Sequence, residues 1–283
     1  MRESALRFGL GSGLLVALGL GLAGCAQPAD PVVARESLEQ VTEDPAPPDA
    51  AEEYDASLHP APIVAPNEDC TPVLVITVRG TGEPTKGQLV SGIAKAIEKA
   101  EPDKTEVIDL DYPADTEVKE GGTLGVRTLI DTLNVQAEHC PGQQFVLLGY
   151  SQGALVIGDA LSAPDTRLVG ATAGEVGIDA AAGIWAVALF GDPRFNAAEA
   201  FNAGTYDSAY SGLLPRPSGA LAAYEERLLD FCVAEDFICQ SGIVLRDDGE
   251  IDEEGHVDYF KNGMRKQAAA FVLEKLGWNS AAP

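Results

Sequence analysis

The sequence predicts an α/β fold, with a central and mostly parallel sheet covered by helices on both faces. Three observations carry this expectation. From Cys70 onward, short apolar runs at 73–79, 107–110, 145–150, 184–190 and 227–232 alternate with stretches of helical periodicity. The runs are nearly continuous in apolar character, as strands buried on both faces require. Strands that alternate with helices form one sheet through right-handed crossovers. Five runs predict five strands, and about 210 residues fit within one domain.

Taken in order, the chain opens with Arg2 and Arg7 and then carries no charge until Asp30. Residues 14–22 are apolar, so residues 1–24 read as an export signal. Leu22-Ala23-Gly24-Cys25 resembles a bacterial lipobox, whose cysteine receives a diacylglyceryl group and becomes the new N-terminus. Two acyl chains suffice for stable attachment, at about 0.8 kcal/mol per buried methylene. Residues 25–69 then read as the lipidated cysteine followed by a tether. Within 26–69 there are eight prolines and eleven Asp or Glu, with Arg35 the only base. Such a composition predicts an extended, disordered segment whose role is reach, with His59 exposed in it.

The folded domain is assigned to residues 70–283. Apolar residues recur at helical spacing over 88–100 and 123–139, and a helix of small residues begins near Ala154. The stretch 256–276 reads as a last helix, with Phe271, Val272 and Leu276 facing the core.

Composition narrows the function classes. The net charge is −25, from 44 acidic and 19 basic residues. Phosphate backbones are held by clustered Lys and Arg, so nucleic acid is excluded as a partner. The five cysteines are Cys25, Cys70, Cys140, Cys232 and Cys239. With Cys25 lipidated, the other four suffice for two disulfides in an oxidising compartment.

The strongest local signal is Gly149-Tyr150-Ser151-Gln152-Gly153, between the strand ending at Gly149 and the helix from Ala154. A strand–turn–helix around G-x-S-x-G is the setting of a nucleophile elbow, with the serine oxygen exposed at the strand's end. An activated serine needs a base. His59 lies in the tether and His139 at the far end of the nucleophile strand, which leaves His256. The acid is open on these grounds. Asp192 follows the strand 184–190, whereas Asp236 lies between Cys232 and Cys239; Asp230, inside a strand, reads as structural.

The ordered elements resemble the cutinases and cutinase-like serine esterases. They are Cys70 with nine residues to Arg79-Gly80-Thr81, Cys140-Pro141 ahead of Gly149-Tyr150-Ser151-Gln152-Gly153-Ala154, Cys232-x3-Asp236-x2-Cys239, and His256-x2-Tyr259. The resemblance spans residues 70 to about 276. It implies a three-layer α/β-hydrolase-type sandwich with a five-stranded sheet and no lid. It implies Ser151 as nucleophile, Asp236 as acid and His256 as base, with disulfides Cys70–Cys140 and Cys232–Cys239. Asp192 then becomes a turn former. Tying the two strand starts through Cys70 and Cys140 would bring Thr81 beside Ser151. There the N–H of Gln152, with the backbone and hydroxyl of Thr81, would form an oxyanion hole.

The function so implied is hydrolysis of carboxylic esters of lipid, glycolipid or polyester type, outside the cytoplasm and on the cell envelope. No cofactor or metal is called for, and a monomer is expected. Acyl transfer by the same triad, or a non-catalytic binding module of the same fold, are the alternatives. The acidic stretch 246–254 departs from the family pattern. It lacks EF-hand spacing and reads as a solvated loop.

Overall fold

All five apolar runs form strands of one sheet in the computed structural model, which describes residues 30–43, 48–241 and 255–278. Residues 1–24, read above as an export signal, Cys25 and the acidic stretch 246–254 lie outside the described residues. In chain order the elements are α1 (Pro31–Glu43), α2 (Pro48–Glu53), β1 (Val73–Val78), α3 (Ser91–Ala100), β2 (Thr105–Asp109), α4 (Val118–His139) and β3 (Gln144–Tyr150). Then come α5 (Gln152–Leu161), α6 (Ile178–Gly183), β4 (Ile184–Phe190), β5 (Asn202–Gly204), β6 (Leu228–Cys232), a 3₁₀ segment Gly255–Phe260 and α7 (Met264–Lys275).

The sheet order is β2-β1-β3-β4-β6-β5, and every adjacent pair is parallel. It has six strands where five were expected. The extra strand, β5, is three residues long and pairs with Asp230, Phe231 and Cys232. Its Asn-Ala-Gly sequence has no strand signature, so only the ladder to β6 makes it one.

Period-two alternation divides the strands between two cores. Leu74, Ile76, Val78, Phe145 and Leu147 face α4 and α5, where Leu129, Leu133 and Leu155 meet them. Val73, Val75, Val146, Leu148 and Phe190 face α3 and α7, against Ile93, Ile97 and Val272. All six residues of β1 are buried, which explains the unbroken apolar run. The Cys70–Cys140 disulfide joins the approaches to β1 and β3, with Cα atoms 5.3 Å apart. Val73 is in register with Gln144 and Val78 with Gly149, so the loop after β1 arrives beside Ser151.

The tether expectation fails for the described part of residues 30–69. Asp30 Oδ1 accepts the Val32 N–H at 2.9 Å, capping α1, and Pro31 supplies its first helical position. Ala34, Leu38 and Val41 recur at helical spacing and are 3%, 0% and 5% exposed. Further on, Arg127 of α4 donates to the carbonyls of His59 (2.7 Å) and Ala61 (3.0 Å). Asp131 and Gln136 accept the N–H groups of Ile63 (2.9 Å) and Asn67 (2.8 Å). The averaged composition concealed one short amphipathic helix and a run of backbone groups that α4 satisfies. No helix among the described residues is long and apolar enough to cross a membrane.

Candidate active site

Ser151 joins β3 to α5 with φ 54° and ψ −119°. Holding a non-glycine residue in that region costs about 1–3 kcal/mol and is characteristic of functional turns. Its N–H donates to the carbonyl of Phe190 at 2.8 Å, which fixes the turn against β4. Gly153 is required two residues later, because a Cβ there would collide with the Val78 carbonyl. The absence of that carbon lets α5 start directly against the end of β1.

Ser151 Oγ is 3.0 Å from His256 Nε2, and His256 Nδ1 is 2.9 Å and 3.0 Å from the two oxygens of Asp236. These contacts form one chain from hydroxyl to imidazole to carboxylate, the arrangement by which a base activates a serine. Asp236 sits in the loop closed by the Cys232–Cys239 disulfide. Its Oδ1 accepts the Ile238 N–H at 2.8 Å, and its Oδ2 accepts the Tyr259 hydroxyl in a short bond. Burial opposes ionisation of this carboxyl. His256 and the bonds from His256, Tyr259 and Ile238 outweigh it and hold Asp236 below its ordinary 3.8.

Asp192, the other candidate acid, faces elsewhere. Its Oδ1 accepts the Arg194 N–H at 2.9 Å, as a turn former does, but its Oδ2 pairs with Arg216. Asp230 is buried in β6. His139 ends α4 beside the Cys70–Cys140 disulfide, at the other end of β3 from Ser151, and His59 is exposed. Cys70, His139 and Cys140 are the described residues grouped closely enough to hold a metal, but the two cysteine sulfurs are bonded to each other.

Ser151 is only 2% exposed, unlike the open serine expected at a strand end. His256 is 3% and Asp236 0% exposed. The turn after β1 lies against one side of the serine and the imidazole against another. Water is therefore largely excluded, which strengthens every polar contact within.

Thr81 and Gln152 lie next to each other, joined by Thr81 Oγ1 donating to Gln152 Oε1 at 3.1 Å. This commits the Thr81 hydroxyl to the amide. Gln152 is the first residue of α5, where N–H groups lack intrahelical partners and the helix dipole favours negative charge.

Four supporting side chains were not assigned roles from sequence. Glu83 Oε2 accepts the Gly80 N–H at 2.7 Å and Oε1 accepts that of Leu89 at 2.8 Å, fixing the turn that presents Thr81. Burial raises the Glu83 pKa above 4.5, despite these two bonds and the nearby His256 and Arg79 charges. Arg79 holds the same turn from the other side, donating to the carbonyls of Leu110, Tyr112 and Pro113. Tyr150 OH donates to the His256 carbonyl at 2.9 Å, and its ring lies 5.0 Å from the imidazole. Burial pushes the phenols of Tyr150 and Tyr259 well above 10, so both remain donors. The only advance signal was placement: three of the four sit inside the quoted motifs, and Glu83 follows one at two residues' distance.

The description Cutinase belongs to the family model that matches residues 69–276. Cutinase 11 of Verticillium dahliae is 30% identical over 165 residues, covering 57% of this chain and 51%, about half, of that relative. Carboxylesterase Culp1 of Mycobacterium bovis is 28% identical over 217 residues, 74% of this chain and 83% of that protein. The solved structure of an iodinated complex of acetyl xylan esterase has the same fold. Its TM-score is 0.63 at 24% identity, over 74% of this chain and all of that one. With the match running from the residue before Cys70 to the residue after α7, this chain belongs to the cutinase family of carboxylic ester hydrolases.

Proposed function

We propose that this chain is an exported serine esterase, held to the cell envelope through lipid on Cys25, that cleaves carboxylic esters by an acyl-enzyme route. The observation that carries the reading is the unbroken Ser151–His256–Asp236 chain, at 3.0 Å and 2.9 Å. His256 Nε2 takes the hydroxyl proton as Ser151 Oγ attacks the ester carbonyl carbon, and Asp236 stabilises the imidazolium formed. Negative charge develops on the carbonyl oxygen beside the start of α5, where the Gln152 N–H and the Thr81 main chain supply donors. Collapse expels the alcohol with the proton from His256. Water, activated by the same imidazole, then releases the acid and restores the serine.

The disulfides Cys70–Cys140 and Cys232–Cys239 belong to an oxidising, extracytoplasmic compartment. They account for four of the five cysteines and leave Cys25 for lipid. Esters of lipid, glycolipid or polyester type are the proposed substrates. Two experiments test the reading. A fluorophosphonate probe should label the wild type and not Ser151→Ala, and hydrolysis of p-nitrophenyl esters of increasing acyl length should be lost with the label. Substantial turnover by pure Ser151→Ala would assign the wrong nucleophile. Metabolic palmitate labelling should disappear in Cys25→Ala; retained label would reject the anchor.

A further inference from the structure

A second cluster of charged side chains is buried near the triad, and the hydrolytic route gives it no part. Asp159 of α5, Asp192 and Arg194 after β4, Arg216 ahead of β6 and Asp230 on β6 are all buried. Their exposure runs from 0% for Asp159 and Asp192 to 6% for Arg194. Removing charges from water costs several kcal/mol per ion, roughly, so such groups persist only where each is paired. Arg194 Nη1 donates to Asp159 Oδ1 at 2.6 Å, and Asp159 Oδ2 accepts the N–H groups of Leu168 and Val169 at 2.8 Å and 3.0 Å. Arg216 Nη1 donates to Asp192 Oδ2.

The route of these bonds is specific. Arg216 Nη2 reaches the carbonyls of Leu155 (3.2 Å) and Ala154 (3.5 Å), in the first turn of the helix whose N-terminus carries Ser151. Gly158 leaves the space, since a Cβ there would collide with the guanidinium. At the other end of the pair, Asp192 directly follows Gly191, whose φ is +58°. A Cβ on Gly191 would lie 2.9 Å from His256 Cε1 and 3.0 Å from Asp236 Oδ2. The Gly191 backbone is therefore a wall of the base–acid pair. The next residue in the chain bears the carboxylate that Arg216 grips.

We propose that Arg216 and Asp192 are positioning residues for ester hydrolysis. Their ion pair ties the helix bearing Ser151 to the backbone that backs His256 and Asp236, and so fixes the spacing of nucleophile, base and acid. The proposal rests on the triad reading above. Asp230 supplies an internal control. Burial first, and then the Asp192 charge, push its carboxyl well above the usual range, which favours its neutral form. It makes no bridge between α5 and Gly191.

The test compares full-length wild type, Ser151→Ala, Asp192→Asn, Arg216→Lys and Asp230→Asn at a temperature where circular dichroism finds them folded. Asp192→Asn and Arg216→Lys should lower kcat and the fluorophosphonate labelling rate about 10–100-fold with KM within about twofold, as misplaced reacting groups do. Asp230→Asn should stay within about twofold on both measures, because this side chain makes no bond to α5 or to the Gly191 backbone. The proton resonance of His256 Nδ1–H should move in Asp192→Asn and not in Asp230→Asn. Folded Asp192→Asn and Arg216→Lys proteins with wild-type kcat would overturn the proposal. So would losses that follow only the unfolded fraction, or failure of both variants to fold, since the pair would then serve folding alone. An unlabelled wild type or an active Ser151→Ala would instead remove the hydrolytic reading, and this inference with it.

Discussion

Arg35 of α1 donates to the main-chain oxygen of Phe237 at 3.2 Å, across 202 residues of sequence, and lies 5.8 Å from the centre of its ring. Phe237 directly follows Asp236 and its ring is 6.3 Å from that of His256. The segment expected to supply reach alone is thus packed against the loop that carries Asp236.

Truncating that helix's buried face should therefore cost stability. Leu38→Ala should destabilise by about 2–4 kcal/mol, since Leu38 is fully buried and a cavity would remain. Arg35→Ala should cost less but also reduce kcat modestly. Urea unfolding and steady-state kinetics measure the two effects. A Leu38→Ala protein as stable as the wild type would mean that α1 does not dock in solution.

Tyr259→Phe should keep the fold and weaken the acid. It removes one donor from Asp236 Oδ2 and leaves the Ile238 and His256 bonds in place. Asp236 is held below 3.8 in part by that hydroxyl, so its folded pKa should rise in the variant. A depressed carboxyl contributes stability above its unfolded pKa and loses it as pH falls through the folded one. Acid unfolding should therefore begin at higher pH in Tyr259→Phe, with kcat reduced and KM little changed. Superimposable acid-unfolding curves would count against the bond.

Glu83 should show the opposite sign. Its folded pKa is raised above 4.5, so the folded state binds the proton more tightly than the unfolded chain does. Its contribution to stability should fall as pH rises from below 4.5 through the folded value. Glu83→Gln should abolish that slope. One amide oxygen replaces two acceptors, so the variant also leaves the Gly80 or Leu89 N–H unpaired and should lower kcat through the Thr81 turn. Unfolding free energies of both proteins from pH 4 to 8, subtracted, isolate the term; a flat difference would contradict the assignment.

With the two disulfides and the lipid proposed on Cys25, the mature protein should yield no free thiol when denatured without reductant. Cys70–Cys140 closes a sequence separation of 70. The chain-entropy treatment gives such a loop about 4 kcal/mol. Cys232–Cys239 spans 7. Replacing that pair by Ser should lower kcat more than its effect on the melting temperature would suggest, since Asp236 lies inside the loop. Ellman titration and thermal unfolding of the two double variants check both halves.

The sequence by itself determined whatever local pattern controls. Five buried strands follow from continuous apolar runs, and the elbow at Ser151 follows from small residues at Gly149 and Gly153. His256 followed by elimination among three histidines, and the resemblance chose Asp236 over Asp192. Tertiary structure decided what depends on neighbours distant in the chain. β5 exists only because β6 offers it a ladder, and α1 orders because α4 and Phe237 cover an apolar stripe too short to show against eleven acids. The buried pairing of Asp192 with Arg216 joins residues whose sequence carries no sign of the partner. A charge reads as solvated surface until a fold removes its water, and only then does the need for a counter-charge or hydrogen bond reveal its role.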